Sequence, residues 1–341
     1  MSDATALVCR YTYPTGQTDL PVLMLMHSFA GSAYEFTGAT LQRIANYGVF
    51  ACAVGLRGAD GATGTGDCSG REIYDIYDAL LQVRLRFPSI ASQSRASIAG
   101  YSGGGGNALA AACKFPDLWQ VVVSHFGISD YGYDETNGWW AHCSVSHRTT
   151  LETRLGGTPA EIPTTYRARN ATEAIGTNLS GGYLYLYHDA DDTVVPVVHS
   201  QRIVTAMDAA GRTNYTADYT DSGDAVRWLH QMPETGAGVI QAEATWIADI
   251  VDNTYAVWTI PATGTITVLG YIVTKRFVIW LGGLTEGVAG AGLDEVATVA
   301  YNTTTGAYTV TPLTGEMDVF IRQGELTASQ HITEATVLTV A

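Results

Sequence analysis

The stretch Gly100-Tyr101-Ser102-Gly103-Gly104 constrains the fold more than any other part of the chain. An apolar run containing Ala96, Ile98 and Ala99 leads into it, and a small-residue segment from Gly105 to Ala112 follows. Strand, tight turn with a serine at its tip, then helix is the setting in which G-x-S-x-G forms a nucleophile elbow. The turn is so sharp that side chains flanking the serine collide with the neighbouring strand and helix, and glycine avoids the collision. The same letters also suit a Gly-rich connector with no chemistry. The two readings separate on whether the chain supplies a base, an acid and an oxyanion hole at matching places.

The flanking sequence alternates between two patterns. Residues 6–13, 21–26, 49–54, 96–102, 121–126, 183–187 and 214–219 read as strands, several of them continuous apolar runs suited to burial on both faces. Residues 36–47, 72–87, 197–210 and 238–251 read as helices. The clearest places Ile73, Ile76, Leu80, Val83 and Phe87 on one face and stops at Pro88. Repeated strand–helix units predict an α/β fold, a doubly wound and mostly parallel sheet with catalytic groups at the carboxyl ends of its strands.

Two parts break this rhythm. Residues 128–181 have weak periodicity and carry Tyr131, Tyr133, Trp139, Trp140 and Tyr166. They read as a cap over the site, or as an insertion that merely packs on the body. Tyr101, Tyr131, Trp139 and Trp140 are expected to contact substrate. After Asn253, Gly, Thr and Val dominate, and short strands are expected at 255–260, 265–273, 276–281, 296–301, 307–311, 317–322 and 336–340. The expected division is a catalytic domain at 1–254 and a small all-β, sandwich-like accessory domain at 255–341.

A serine hydroxyl needs a base within hydrogen-bond reach, and the base needs an acid to fix its tautomer. In such sheets the chain order is Ser, then Asp or Glu, then His. The strand 183–187 runs into His188-Asp189-Ala190-Asp191-Asp192. Asp192 stands just before the Thr193-Val194-Val195-Pro196 turn and is the first choice of acid, with Asp191 the second. His230 follows the next strand and alone among the eight histidines has the required order and position. A metal site built from His188 and these aspartates finds no support elsewhere in the chain, and no cofactor is expected. The oxyanion hole needs two backbone N–H groups. Gly103, after the nucleophile, and Phe29, in the turn His27-Ser28-Phe29-Ala30-Gly31-Ser32, are the expected donors.

With these residues placed, residues 5–252 resemble the α/β-hydrolase superfamily. Leu56-Arg57-Gly58, Gly70-Arg71-Glu72, the elbow, Phe115-Pro116-Asp117-Leu118, Gly127-Ile128-Ser129-Asp130 and the run from His188 to Pro196 are similar to prolyl-oligopeptidase-type and dienelactone-hydrolase-type enzymes. Ser28-Phe29-Ala30-Gly31-Ser32, the glycines 103–106 and Asp192-Thr193-Val194-Val195-Pro196 resemble cutinase-like polyester hydrolases. The resemblance implies Ser102 as nucleophile, Asp192 as acid, His230 as base, and Phe29 and Gly103 as oxyanion donors. Three features depart from it. Ser28 and Asp189 stand where these families usually carry Gly, and no stretch corresponds to the N-terminal propeller of prolyl oligopeptidases. The expected activity is hydrolysis of small, polymeric or sugar-linked carboxylic esters. The alternatives are an oligopeptidase, or a binding or virion-assembly protein on a hydrolase scaffold that docks or oligomerises through its β region.

Composition narrows the partners. With 18 Lys and Arg against 33 Asp and Glu the net charge is −15, which argues against nucleic acid and anionic membrane surfaces. No apolar run reaches the length of about 18 residues that a membrane span needs. The start, Met1-Ser2-Asp3-Ala4, lacks the basic and apolar regions of a secretory signal. Five cysteines, an odd number with no zinc spacing, favour a reducing, cytoplasmic setting. Cys9, Cys52 and Cys113 read as core residues, and Cys68 and Cys143 as loop residues, free or paired.

Overall fold

The computed structural model describes residues 5–220, 230–231, 237–283, 285–286 and 293–341. The first part builds one seven-stranded sheet. In chain order its elements are β1 (Val8–Thr12), β2 (Leu20–Met26), α1 (Gly38–Ala45), β3 (Phe50–Gly55), α2 (Glu72–Arg86), β4 (Ala91–Tyr101), α3 (Gly103–Lys114) and β5 (Val121–His125). Four short helices follow: α4 (Trp139–His142), α5 (Val145–Leu155), α6 (Pro163–Arg167) and α7 (Ile175–Asn178). The sheet is completed by β6 (Tyr183–Asp189), α8 (Val198–Ala209), β7 (Tyr215–Thr220) and α9 (Ala237–Val251).

The strand order is β1-β3-β2-β4-β5-β6-β7, with β1 antiparallel and the rest parallel. Alternation along the strands explains the two layers of core. Val22, Met24 and Met26 face one side with Phe50, Cys52, Val54 and Ile98, under α2 and α3. Leu23 and Leu25 face the other with Ala51, Ala53 and Ala99, under α1 and α9. The whole of α3 is buried, and its Gly and Ala residues let it lie close to the sheet. This is the α/β-hydrolase fold. No helix of the described residues is long and apolar enough to cross a membrane.

The second part is an antiparallel sheet of β8 (Thr263–Leu269), β9 (Tyr271–Val273), β10 (Val278–Leu281), β11 (Val296–Asn302), β12 (Ala307–Pro312), β13 (Met317–Gln323), β14 (Leu326–Ile332) and β15 (Thr336–Thr339). Hydrogen bonds run through it as one series, β14-β13-β10-β9-β8-β11-β12-β15. The sheet curls so that the Ala341 N–H, just beyond β15, donates to the Thr327 carbonyl on β14. Its two halves close on one core that includes Ile266, Val268, Val299, Val310, Val319 and Ile321. The inner faces therefore meet as in a sandwich, although the backbone pairing is continuous.

Three details differ from the expected elements. Residues 255–260 join no sheet, because they dock on the body instead: the Tyr255 ring stacks on Tyr183 at 4.2 Å, and the Ile260 backbone N–H donates to Asp117. The strand expected at 265–273 breaks at Gly270, whose φ of 77° lies in the left-handed region that glycine adopts freely. Strand β14, Leu-Thr-Ala-Ser-Gln-His-Ile, was not expected, since it is an edge strand, largely exposed and poor in β-branched and aromatic residues. All five cysteines are free thiols; Cys68 and Cys143 lie in loop segments as expected, and both are buried.

Candidate active site

Strand register brings the site together. Met26 pairs with Gly100, and Tyr101 pairs with His125, which in turn pairs with Tyr187. The turns leaving β2, β4, β5 and β6 therefore lie side by side at one sheet edge. Ser102 sits at the elbow with φ 57° and ψ −122°, outside the comfortable range of an L-residue. Its N–H donates to the His125 carbonyl at 3.0 Å, which helps hold that conformation. The glycines around it have no room for a side chain. A Cβ on Gly100 would lie 2.0 Å from the Gly104 carbonyl oxygen, and one on Gly103 would lie 2.5 Å from the Phe29 nitrogen.

His230 Nε2 lies 3.0 Å from Ser102 Oγ, and His230 Nδ1 lies 2.8 Å from Asp192 Oδ2. The carboxylate can only accept, so Nδ1 carries the proton and Nε2 is left to accept from the serine hydroxyl. Asp192 is buried, whereas Asp191 is exposed. The second oxygen of Asp192 accepts the N–H groups of Val194 and Val195 at 2.8 and 3.0 Å, which orients the carboxylate toward the imidazole. His188 lies beneath. Its Nε2–H donates to the Val195 carbonyl at 2.8 Å and its Nδ1 accepts from Ser200 at 2.7 Å. Burial pulls its pKa down, so it is a neutral strut for the acid loop. His199 and His125 are also buried and pulled down, each to about 3.

The turn after β2 approaches Gly103 through the Phe29 amide. His27 Nδ1–H donates to the Ser28 carbonyl at 2.8 Å, and Gly31 N–H donates to the same oxygen at 3.0 Å. In a trans peptide the N–H points opposite to the C=O, so these bonds aim the Phe29 N–H away from the turn interior. Asp60 accepts the Ala33 N–H at 2.7 Å and the Ser32 hydroxyl. Neither Asp60 nor Glu35, which binds Ser28, was singled out in the sequence. The signal for Glu35 was the Ser32-x-x-Glu35 spacing, and both reciprocal contacts of a capping box are present.

Residues 128–181 pack buried aromatic rings against Phe29. The Phe29 ring meets Trp139 edge-on at 4.8 Å and Tyr131 at 6.4 Å. Trp139 Nε1–H donates to the Val194 carbonyl at 2.9 Å, which ties α4 to the acid loop. From α5, His147 and Arg154 also lie against the Phe29 ring. Of the four residues expected to touch substrate, Tyr131 and Trp139 are buried in the packing behind Phe29, and the other two lie elsewhere. Tyr101 is fully buried below the elbow, because its position on β4 points it into the lower core, where its hydroxyl donates to Glu243 at 3.0 Å. Trp140 turns toward α5, donating to Glu152 at 2.8 Å with Arg148 over its ring.

Behind Phe29 a cavity of about 10 Å³ is bounded by Cys68, Glu72, Asn107, Tyr131 and Arg154. That is room for about one water molecule. Glu72 is buried there, and desolvation and then the nearby Asp67 carboxylate push its pKa up to about 7. The N–H groups of Asp67 and Ser69 donate to it at 3.2 Å each, holding the loop that forms the cavity wall. The larger cavities beside β1 and at the outer side of residues 128–181 are lined by none of Ser102, Asp192 and His230. Among the described residues no cluster of side chains could hold a metal ion.

Residues 35–253, more than half of the chain, match the prolyl oligopeptidase family. The chain belongs to that family. It has the α/β-hydrolase fold. Among solved structures it is similar to an acylaminoacyl peptidase of Pyrococcus horikoshii, with a TM-score of 0.59 and 18% identity over 75% of this chain and 40% of that one. It thus spans well under half the length of that peptidase. It is also similar to the thermophilic esterase Est2 of Thermogutta terrifontis, with a TM-score of 0.54 and 14% identity over 74% of this chain and 90% of that one. Mouse alpha/beta hydrolase domain-containing protein 10 gives a TM-score of 0.53 at 15% identity, over 74% of this chain and 97% of that one. No curated protein sequence matches the chain.

Proposed function

We propose that this chain is a serine hydrolase that cleaves carboxylic esters, with Ser102 as nucleophile, His230 as general base and Asp192 as the orienting acid. The observation that carries the reading is the relay of 3.0 and 2.8 Å from Ser102 Oγ through His230 to Asp192. In this reading Ser102 Oγ attacks the ester carbonyl carbon while its proton passes to His230 Nε2. The tetrahedral oxyanion is held by the N–H groups of Phe29 and Gly103. His230 then gives the proton to the departing alkoxide, which leaves as the alcohol, and an acyl-enzyme remains. Water, deprotonated by His230, attacks the acyl carbon, and collapse returns the proton to Ser102 and releases the acid.

Two features support an ester over an amide. The half-buried Phe29 ring is backed by the buried rings of Trp139 and Tyr131, and such an apolar surface suits an apolar group better than the hydrogen-bonding backbone of a peptide. The esterase neighbour also shares its fold over most of its own length. The family favours a second reading, cleavage of oligopeptides, and the acylaminoacyl peptidase neighbours point the same way. A matched ester and amide with the same acyl group separate the two. The ester reading expects the ester to be turned over at least about a hundredfold faster in kcat/KM, or ~3 kcal/mol in barrier. Comparable rates on the two substrates would replace it with the peptidase reading.

A further inference from the structure

We propose that Glu35 and the Ser28 hydroxyl form a clamp that holds the oxyanion turn in its working shape, with Glu35 a positioning residue for catalysis. The inference rests on the esterase reading above and goes beyond it, because neither side chain contacts the triad.

Ser28 occupies the position before the Phe29 amide, where glycine would leave the backbone free to swing. Here both polar groups of Ser28 that precede that amide are bound by one carboxylate. Its N–H donates to Glu35 Oε2 at 2.8 Å and its Oγ–H donates to Glu35 Oε1 at 2.6 Å. The Ser32 N–H reaches the same Oε1 at 3.4 Å, so the carboxylate bridges both ends of the turn. The fit is close: a Cβ on Gly31 would lie 2.0 Å from Glu35 Oε1 and 2.5 Å from Ser28 Oγ. The Ser28 carbonyl is bound separately, by His27 and Gly31.

These contacts fix the peptide planes before and after Ser28. The second of those planes carries the Phe29 N–H. An oxyanion donor lowers the barrier only if it already points at the place where charge develops, since reorientation during the reaction costs what the bond returns. A charged acceptor makes stronger hydrogen bonds than a neutral one, so a carboxylate suits this fixing role. The clamp accordingly acts on the transition state and leaves ground-state binding unchanged.

The test uses the full chain, a neutral p-nitrophenyl ester and an alkyl trifluoromethyl ketone, whose adduct with a serine carries an oxyanion. Glu35→Gln is expected to lower kcat about tenfold with KM within about twofold, and to weaken the ketone by the same factor as kcat/KM. Ser28→Ala, the milder change, is expected to lower both in parallel by about threefold. The double variant is expected to lose little beyond Glu35→Gln, because both changes open one clamp. A merely structural role would lower the folded fraction and leave ketone affinity per folded molecule unchanged. That result, or unchanged kcat and ketone affinity in both single variants, overturns the clamp while the esterase reading stands. If the unsubstituted protein neither turns over esters nor reacts with a fluorophosphonate, both fall together.

Discussion

Helix α3 begins with four glycines, Gly103–Gly106, beside Ser102 and the Phe29 amide, and ends at Lys114 in the interface with the β sheet. The helix has 12 residues, so the two ends are about 18 Å apart. At the first end the structure carries strain and close backbone approach. At the second it carries apolar area and buried polar groups. Leu269, Tyr271, Val278, Trp280 and Val296 of the β sheet share one core with Leu109, Ala112 and Phe115. Asn178 is fully buried there, donating to the carbonyls of Cys113 and Thr267 at 2.8 and 2.7 Å and accepting the Thr267 N–H at 2.9 Å. Arg169 pairs with Asp294 at 2.6 Å, and Asp117 accepts the backbone of Lys275 at 3.1 Å. The comparison teaches that chemistry and cohesion are assigned to opposite ends of one helix. The β sheet is anchored like a piece of core, not hung on a linker.

Substitutions can break or sharpen that division. The largest effect is expected from Ser102→Ala, which should lower ester turnover by at least about 10⁴-fold and abolish fluorophosphonate labelling. Its unfolding free energy in urea should change by less than about 1 kcal/mol, as for a change that leaves packing intact. Ester turnover near the unsubstituted rate would remove Ser102 from the chemistry. Asp192→Asn comes next, with kcat expected to fall by about 10⁴ because the amide no longer selects the Nδ1–H tautomer of His230. A modest loss there would point to another acid.

At the far end the signature should invert. Trp280 stacks on Tyr271 at 4.7 Å, and Trp280→Ala is expected to cost about 3–5 kcal/mol of stability. Its kcat per folded molecule should stay within about twofold, because the site lies a helix length away. A large kcat loss in the folded fraction would show that the two ends are coupled.

The smallest effect concerns Lys114, which donates to the Leu269 carbonyl and lies 4.6 Å over the Tyr271 ring. Burial lowers its pKa from the ordinary 10.5 to about 7. Between those values the unfolded chain holds the proton and the folded chain does not, so this group makes stability rise as pH rises through that window. Below about pH 7 both states are protonated and the slope vanishes. Lys114→Met should flatten the rise in denaturation midpoint expected between neutral and mildly alkaline pH. An unchanged slope would show that the buried ammonium keeps its charge.

Part of this organisation is written locally in the chain. The α2 stripe of Ile73, Ile76, Leu80 and Val83 and the apolar runs of β2 and β3 announce a covered parallel sheet, because period and burial are properties of neighbouring residues. The edge strand β14 was illegible, since an exposed edge needs no special composition. The orientation of Tyr101 was illegible too. Its letter sits in the elbow motif, but the pleat of β4 sends its ring to Glu243, far along the chain. Glu35 could be read as a capping residue but not as a partner of Ser28, because that contact depends on how the turn folds back.

The sequence by itself determined the elbow, the alternation of strands and helices, and the chain order of Ser102, Asp192 and His230. These follow from short-range sterics and from the periods of strand and helix. Only the tertiary structure decided that Ser102 Oγ, His230 and Asp192 stand 3.0 and 2.8 Å apart, which aromatic rings pack behind Phe29, and where the β sheet docks. Those distances join residues up to 128 positions apart, and strand register and close packing, not local preference, set them.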